Sequence, residues 1–241
     1  MKADIKILGS KDQLGTYAAD LLSEWSTDII SRNGSISVAL SGGSTPKLMY
    51  SKLVDFYSED IKWDYFKFFW SDERYVPFEH EESNAGMAYR HLLEPLGISK
   101  DQYEAVPTSL KEPFHAAMEY ENSIRQHFGT PDAVPAFDIV FLGMGADGHT
   151  ASLFPNTKAL HERRRLVTAN WVEELDTWRV TFTYTLINQA KTTILLVSGA
   201  DKAQVVKEIL HEGNTSYPVS HVQPKSGNVL WLLDADAGAR L

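Results

Sequence analysis

A histidine and an aspartate stand two positions apart in a run of glycines, Gly143-Met144-Gly145-Ala146-Asp147-Gly148-His149. An imidazole titrates close enough to neutrality to remove a proton from water. A carboxylate beside it can orient the ring or stabilise its protonated form. Backbone N–H groups of a glycine loop (Gly143, Gly145, Gly148) can receive a developing oxyanion. A second stretch, Ser41-Gly42-Gly43-Ser44-Thr45-Pro46, sets backbone N–H groups and hydroxyls ahead of a helical pattern. A strand, a Gly/Ser/Thr loop and a helix N-terminus make an anion cradle. A third, Ser71-Asp72-Glu73-Arg74, carries a guanidinium that Asp72 or Glu73 could hold while it faces an anion. The combination describes a water-activating base, His149, beside Asp147, with Gly42, Gly43, Ser44, Thr45 and Arg74 gripping an anionic group. The competing reading makes His149 the cap of a short helix with no chemistry; the second loop weighs against it.

Other chemistries lack their residues. The chain has no cysteine, which excludes disulfides, thiol nucleophiles and thiolate metal sites. It has no G-x-S-x-G elbow and no H-E-x-x-H, and no histidine spacing suggests a metal. Gly143–Gly148 does match G-x-G-x-x-G, but that pattern should open a long helix near the start of a nucleotide domain. Here it lies past the middle of the chain, and Pro155 limits any helix that begins near His149. No cofactor is expected.

These loops need elements to position them. Ile139–Leu142, with Phe137 ahead of it, reads as a strand buried on both faces that runs into the His149 loop. Ile36–Leu40 is a second buried strand, running into Ser41–Pro46, with Thr45 as N-cap and Pro46 as first residue of the next helix. Phe66–Trp70 is a third, ending in the charged triplet. Leu14, Tyr17, Ala18, Leu21, Leu22, Trp25 and Ile29 recur at helical spacing until Asn33-Gly34. Ile5–Leu8 reads as a short edge strand, and Ser83-Asn84 caps a helix through Met87, Tyr89 and Leu92. Pro113–Phe128 is a polar surface helix, and Thr130–Pro135 is a loop. Leu166–Ala169, Arg179–Thr183, Ile194–Val197 and Val229–Leu233 read as further strands. Ala200–Leu210 is a helix whose Lys202 is either exposed or reaches a bound anion. Asp234 is expected to start a short terminal helix, and Arg163-Arg164-Arg165 to be a solvated turn. Alternation of strands and helices predicts an α/β fold: a mostly parallel, Rossmann-like sheet with helices on both faces, as one domain over residues 1–241.

Composition narrows the class. With 241 residues and 43% apolar content the chain can bury a sizeable core. Its formal charge of −9 argues against nucleic-acid binding, which wants a basic face. The N-terminal apolar stretch is too short for a signal peptide, and no run approaches a membrane span. A cytoplasmic protein acting on a small molecule is the expectation, as monomer or homodimer.

Taken together, the motifs resemble one family. SGGSTP at 41–46, SDERYVP at 71–77, SNAGMA at 83–88 and GMGADGHTASLFP at 143–155 carry the likeness. RVT at 179–181, INQA at 187–190, YPVSHVQP at 217–224 and the closing WLLDADAGARL extend it over nearly the whole chain. The chain is similar to bacterial-type 6-phosphogluconolactonases, in the superfamily of glucosamine-6-phosphate deaminase and ribose-5-phosphate isomerase. The resemblance implies a hydrolase that opens the δ-lactone of 6-phosphogluconate without a metal or nucleotide. It assigns the phosphate to Gly43, Ser44 and Thr45, helped by Arg74 and Lys202. It makes His149 the general base beside Asp147, and Arg179 a further substrate contact. Thr177-Trp178 stands where many relatives have a proline-rich lead-in to that arginine. A deaminase or isomerase on the same fold is the alternative enzyme, although Ser152-Leu153-Phe154-Pro155 replaces the Asn-Glu-Pro type segment of the deaminases. A sugar-phosphate sensor is the non-catalytic alternative, less suited to a chain that has His149 and lacks room for a DNA-binding module.

Overall fold

The computed structural model describes residues 4–241. In chain order the elements are β1 (Asp4–Leu8), α1 (Lys11–Asn33), β2 (Ile36–Leu40), α2 (Ser44–Tyr57), β3 (Phe66–Trp70), β4 (Asp72–Arg74), α3 (Asn84–Ala88) and α4 (Pro113–Phe128). Then come β5 (Ile139–Gly143), β6 (Val167–Val172), β7 (Thr177–Phe182), α5 (Tyr184–Ile187), β8 (Thr192–Val197), α6 (Ala203–Leu210) and β9 (Asn228–Asp234). Six strands form one parallel sheet in the order β1-β9-β8-β5-β2-β3.

Period-two alternation puts apolar residues of the central strands on both faces of the sheet. Val38, Leu40, Phe68, Trp70, Ile139, Phe141, Ile194 and Leu196 face one core with Leu14, Leu22, Met49 and Leu53 of α1 and α2. Ala39, Phe69, Val140, Leu142, Leu195 and Val197 face the other, with Tyr120 and Ile124 of α4 and Val206 and Ile209 of α6. Helices therefore cover both faces, as expected. Ser10 caps α1 by accepting from the Gln13 N–H, and Gly34 ends it at φ 76°, its N–H donating to the Ile30 carbonyl. Ser83 caps α3 in the same way, through the Gly86 N–H.

The strand order reverses between β2 and β5: β3 lies outward on one side, and β8, β9 and then the N-terminal β1 on the other. These two neighbours share only two paired positions, Val38–Ile139 and Ala39–Val140. Beyond them the two strands are no longer paired and lead into separate loops. Open α/β sheets place ligands in such a crevice, at the carboxyl ends of the strands.

Several expectations change. Leu166–Ala169 and Arg179–Thr183 are strands, but they pair with each other antiparallel, and with β4, as a separate three-stranded sheet β4-β7-β6. The charged triplet is thus a short strand and not a turn. Gly43, not Thr45, is the N-cap of α2, and Pro46 sits two residues beyond the first helical position. It is tolerated there because the first-turn N–H groups have no intrahelical partner. After β9 the chain makes successive turns rather than a helix, the first with the Gly238 N–H donating to the Asp234 carbonyl. Asp234 instead uses its carboxylate to hold Ser198, the Gly199 N–H and the Ala237 N–H.

Candidate active site

A cavity of about 240 Å³ opens at the β2/β5 crevice. Ser41, Gly42 and Gly43 line one side, Gly143, Met144, Gly145, His149 and Ala151 another, and Asp72, Arg74 and Asn84 the third. A larger cleft of about 590 Å³ lies along β6, lined by Phe114, Trp171 and Trp178 with glutamates. It contains no imidazole and no arginine, so its size does not make it the reactive site.

The His149 ring is fixed from two directions. Its Nδ1 lies 2.6 Å from Asp147 Oδ1, which also accepts the His149 backbone N–H at 3.1 Å. Its face stacks on Phe154, ring centroids 4.0 Å apart and planes 23° apart. With Asp147 ionised, Nδ1 must be the donor, which leaves the lone pair on Nε2. Burial pushes the Asp147 carboxyl up, but the imidazole hydrogen bond, its charge and the backbone N–H bonds outweigh it and hold the group below the ordinary range. A Cβ on Gly145 would collide with the imidazole and with Asp147, so only glycine permits this packing.

The expected oxyanion donors change, however. Gly145 donates its N–H to the His149 carbonyl, and Gly148 donates to the Gly145 carbonyl, both at 3.0 Å. Gly143 supplies its carbonyl to Thr150 Oγ1. The glycines shape the loop, and the N–H groups of Gly145 and Gly148 are spent within it.

Opposite stands the start of α2. Gly43 adopts φ 98°, which favours glycine, and no side chain caps this helix. No acidic residue occupies its first turn, so its N–H groups and positive dipole end face the cavity uncompensated. The backbone of Gly42 and Gly43 lines the cavity; the side chains of Ser44 and Thr45 do not. Thr45 is buried, and the Ser44 hydroxyl accepts from Lys11 Nζ at 2.6 Å.

One arginine, Arg74, completes the wall, and a second, Arg179, pairs with it in the ladder. Arg74 and Arg179 are register partners across the β4/β7 ladder, which places both side chains on one face. Arg74 donates one N–H to the Glu82 carbonyl at 2.7 Å. Neither Nε has a partner, although both are buried. Burial, then the charge of Arg74, lowers the Arg179 guanidinium, yet an arginine stays protonated. Two like charges held together without an ion-paired carboxylate are an arrangement that an anion would complete. Arg179 stands behind Arg74 and does not itself line the cavity. Lys202 is not brought in either: it pairs with its neighbour Asp201. The lysine at the cradle is Lys11, which no motif marked.

Asp72 and Asn84 were also missed. Asp72 is buried, accepting from Ser152 Oγ at 2.6 Å and from Asn84 Nδ2 at 3.4 Å. Strand alternation in β4 puts Asp72 and Arg74 on one face and Glu73 on the other, but a three-residue strand is too short for the sequence to show it. Among the described residues, no group of three or more His, Asp or Glu could hold a metal ion, and no helix is long and apolar enough to cross a membrane.

A doubly covered parallel sheet with an imidazole and an uncapped helix N-terminus at its reversal point marks the class of α/β enzymes that bind small molecules at their strand ends, and comparison specifies it. The chain belongs to the family of glucosamine-6-phosphate isomerases and 6-phosphogluconolactonases, whose model matches residues 9–231. It is 39% identical to the 6-phosphogluconolactonase of Nostoc sp., covering 100% of this chain and 99% of that protein. It is 37% identical to the 6-phosphogluconolactonase of Synechocystis sp., with the same coverage. The solved structure of 6-phosphogluconolactonase from Trypanosoma cruzi superimposes with a TM-score of 0.90 at 34% identity, covering 100% of this chain and 97% of that one.

Proposed function

We propose that the protein hydrolyses 6-phospho-D-glucono-1,5-lactone to 6-phospho-D-gluconate, by water activated at His149. The observation that carries this is the facing pair: an imidazole with Nδ1 committed to Asp147 on one side of the cavity, and an uncapped helix N-terminus with Arg74 on the other. The phosphate lies on the Gly42–Gly43 backbone and Arg74, with Arg179 adding charge from behind. That anchor directs the lactone carbonyl toward His149, so binding energy at one end orients the other.

Nε2 takes a proton from water as its oxygen bonds to the carbonyl carbon. The tetrahedral oxyanion collapses, the ring C–O bond breaks, and the imidazolium returns its proton to the departing ring oxygen. The new carboxylic acid then ionises and releases one proton to solvent. Asp147 holds the ring in the productive tautomer throughout. Phe154 prevents it from turning out of line.

The test follows proton release from freshly prepared lactone against the spontaneous rate. Acceleration by the wild type and its loss in His149→Ala are expected; equal rates with and without the protein would exclude the reading. The family also contains glucosamine-6-phosphate isomerases, so ammonia release from glucosamine 6-phosphate is measured alongside, and none is expected.

A further inference from the structure

Glu73 is among the most enclosed carboxyl groups in the protein, 1% exposed, and no cation pairs with it. An unpaired buried carboxylate is expensive, and an apolar residue would secure β4 at less cost. Its neighbours show what it holds. Oε1 accepts the N–H groups of Arg74 at 2.8 Å and Asn84 at 2.7 Å. Oε2 accepts the Ala85 N–H at 2.7 Å and Ser83 Oγ at 3.1 Å. Four donors from β4 and from the turn before α3 converge on one carboxylate.

That turn carries three parts of the cavity wall. Its Glu82 carbonyl receives the Arg74 guanidinium. Its Asn84 amide donates to the Asp72 carbonyl at 3.0 Å. The same amide fills the space where a Cβ of Gly42 would lie, so it packs directly on the anion loop.

We propose that Glu73 is a positioning residue for substrate binding: its carboxylate clamps the 82–85 turn to β4 and thereby sets the places of Arg74 and the Gly42 backbone. This rests on the reading that the cavity takes a phosphate. Because Glu73 touches neither His149 nor Asp147, its loss acts on KM and leaves kcat nearly unchanged.

The clamp is also linked to protons. Burial pushes the Glu73 carboxyl up to about 7; the N–H bonds from Ala85, Asn84 and Arg74 oppose this, and the charge of Asp72 adds to it. The charged and titratable groups around it are Asp72 and Arg74 on β4, Arg179 on β7 and Tyr120 on α4. A proton on Glu73 puts a fifth donor among four and removes an acceptor. Phosphate anchoring therefore loosens as pH falls through about 7.

Calorimetric binding of 6-phosphogluconate between pH 5.5 and 8.5 tests this, together with kcat and KM. Glu73→Gln should raise Kd about tenfold at pH 8, leave kcat within a factor of about two, and lose the pH dependence near 7. The phosphate itself titrates near 6, so a limb there is common to wild type and variant. Glu73→Asp keeps the charge but cannot reach all four donors; a smaller rise in Kd with the limb near 7 retained is expected, and it serves if Glu73→Gln does not fold. Variants that melt earlier but bind with wild-type affinity and pH dependence would reduce Glu73 to a structural role and overturn the proposal. A wild type that fails to bind 6-phosphogluconate, or binds it equally after Arg74→Ala, would instead remove the phosphate reading and this inference with it.

Discussion

Two charged clusters at opposite ends of the parallel sheet, one around Asp138 and one around Arg74 and Arg179, are built in opposite ways. At the amino ends of β2, β5 and β8, the Asp138 carboxylate accepts from the Ser37 N–H and hydroxyl, from Asn33 and from Lys191. Acceptor and donors close on each other, and nothing is left for a ligand. At the carboxyl ends, Arg74 and Arg179 keep Nε without partners, and α2 begins without a side-chain cap. Asp138 is closed by its own donors, whereas the two guanidinium Nε atoms are open; on the proposed function a substrate phosphate recovers the cost of leaving them so.

The sharpest test of the contrast is His149→Ala. Loss of a general base should lower kcat by ~10²–10⁴-fold while the melting temperature stays within a degree or two. Asp138→Ala should do the reverse. It removes an acceptor of charge-assisted bonds and should cost about 2–3 kcal/mol by denaturant titration, with kcat/KM of the folded enzyme unchanged. If Asp138→Ala altered kcat, the division between the two ends would not hold. Arg74→Lys keeps the charge but loses the planar fork. It should raise KM about tenfold, checked against unchanged kcat. The smallest effect is expected at Ala151, which holds φ 47° beside the cavity. Ala151→Gly should relieve that strain and raise stability by under ~1 kcal/mol, read from the denaturation midpoint.

pH separates two carboxyls near the site. Asp147 is depressed, so the stability it adds is present above the ordinary carboxylate range and is lost as pH falls through its folded value. Glu73 is raised, so the stability it adds is present below the ordinary range and is lost as pH rises through about 7. Melting curves against pH should therefore change with opposite slopes in Asp147→Asn and Glu73→Gln.

Much of this frame was legible beforehand, because strands buried on both faces are rich in apolar residues, and β2, β3, β5, β8 and β9 are. Glycine clusters at their ends marked the crevice. The small antiparallel sheet was hidden: β4 is three residues long and charged, too short to show a period. Gly43 as a cap depends on a positive φ that no residue pattern before Thr45-Pro46 discloses. Lys11 reaches Ser44 across 33 positions, a contact made only by the packing of α1 on α2. Lys202 went the other way: a nearby acid, Asp201, claims it locally.

The brief pairing between β2 and β5 has a further consequence. A six-stranded sheet with one ladder of two paired positions has a seam, where fewer ladder pairs hold the halves together than between any other two neighbours. On the proposed function, a phosphate sugar seated across the crevice would touch the β2 loop with one end and the β5 loop with the other, and would act as a stitch across that seam. Amide hydrogens of Val38–Leu40 and Ile139–Leu142 should then exchange more slowly once product is bound, while those of the β8/β9 ladder keep their rates.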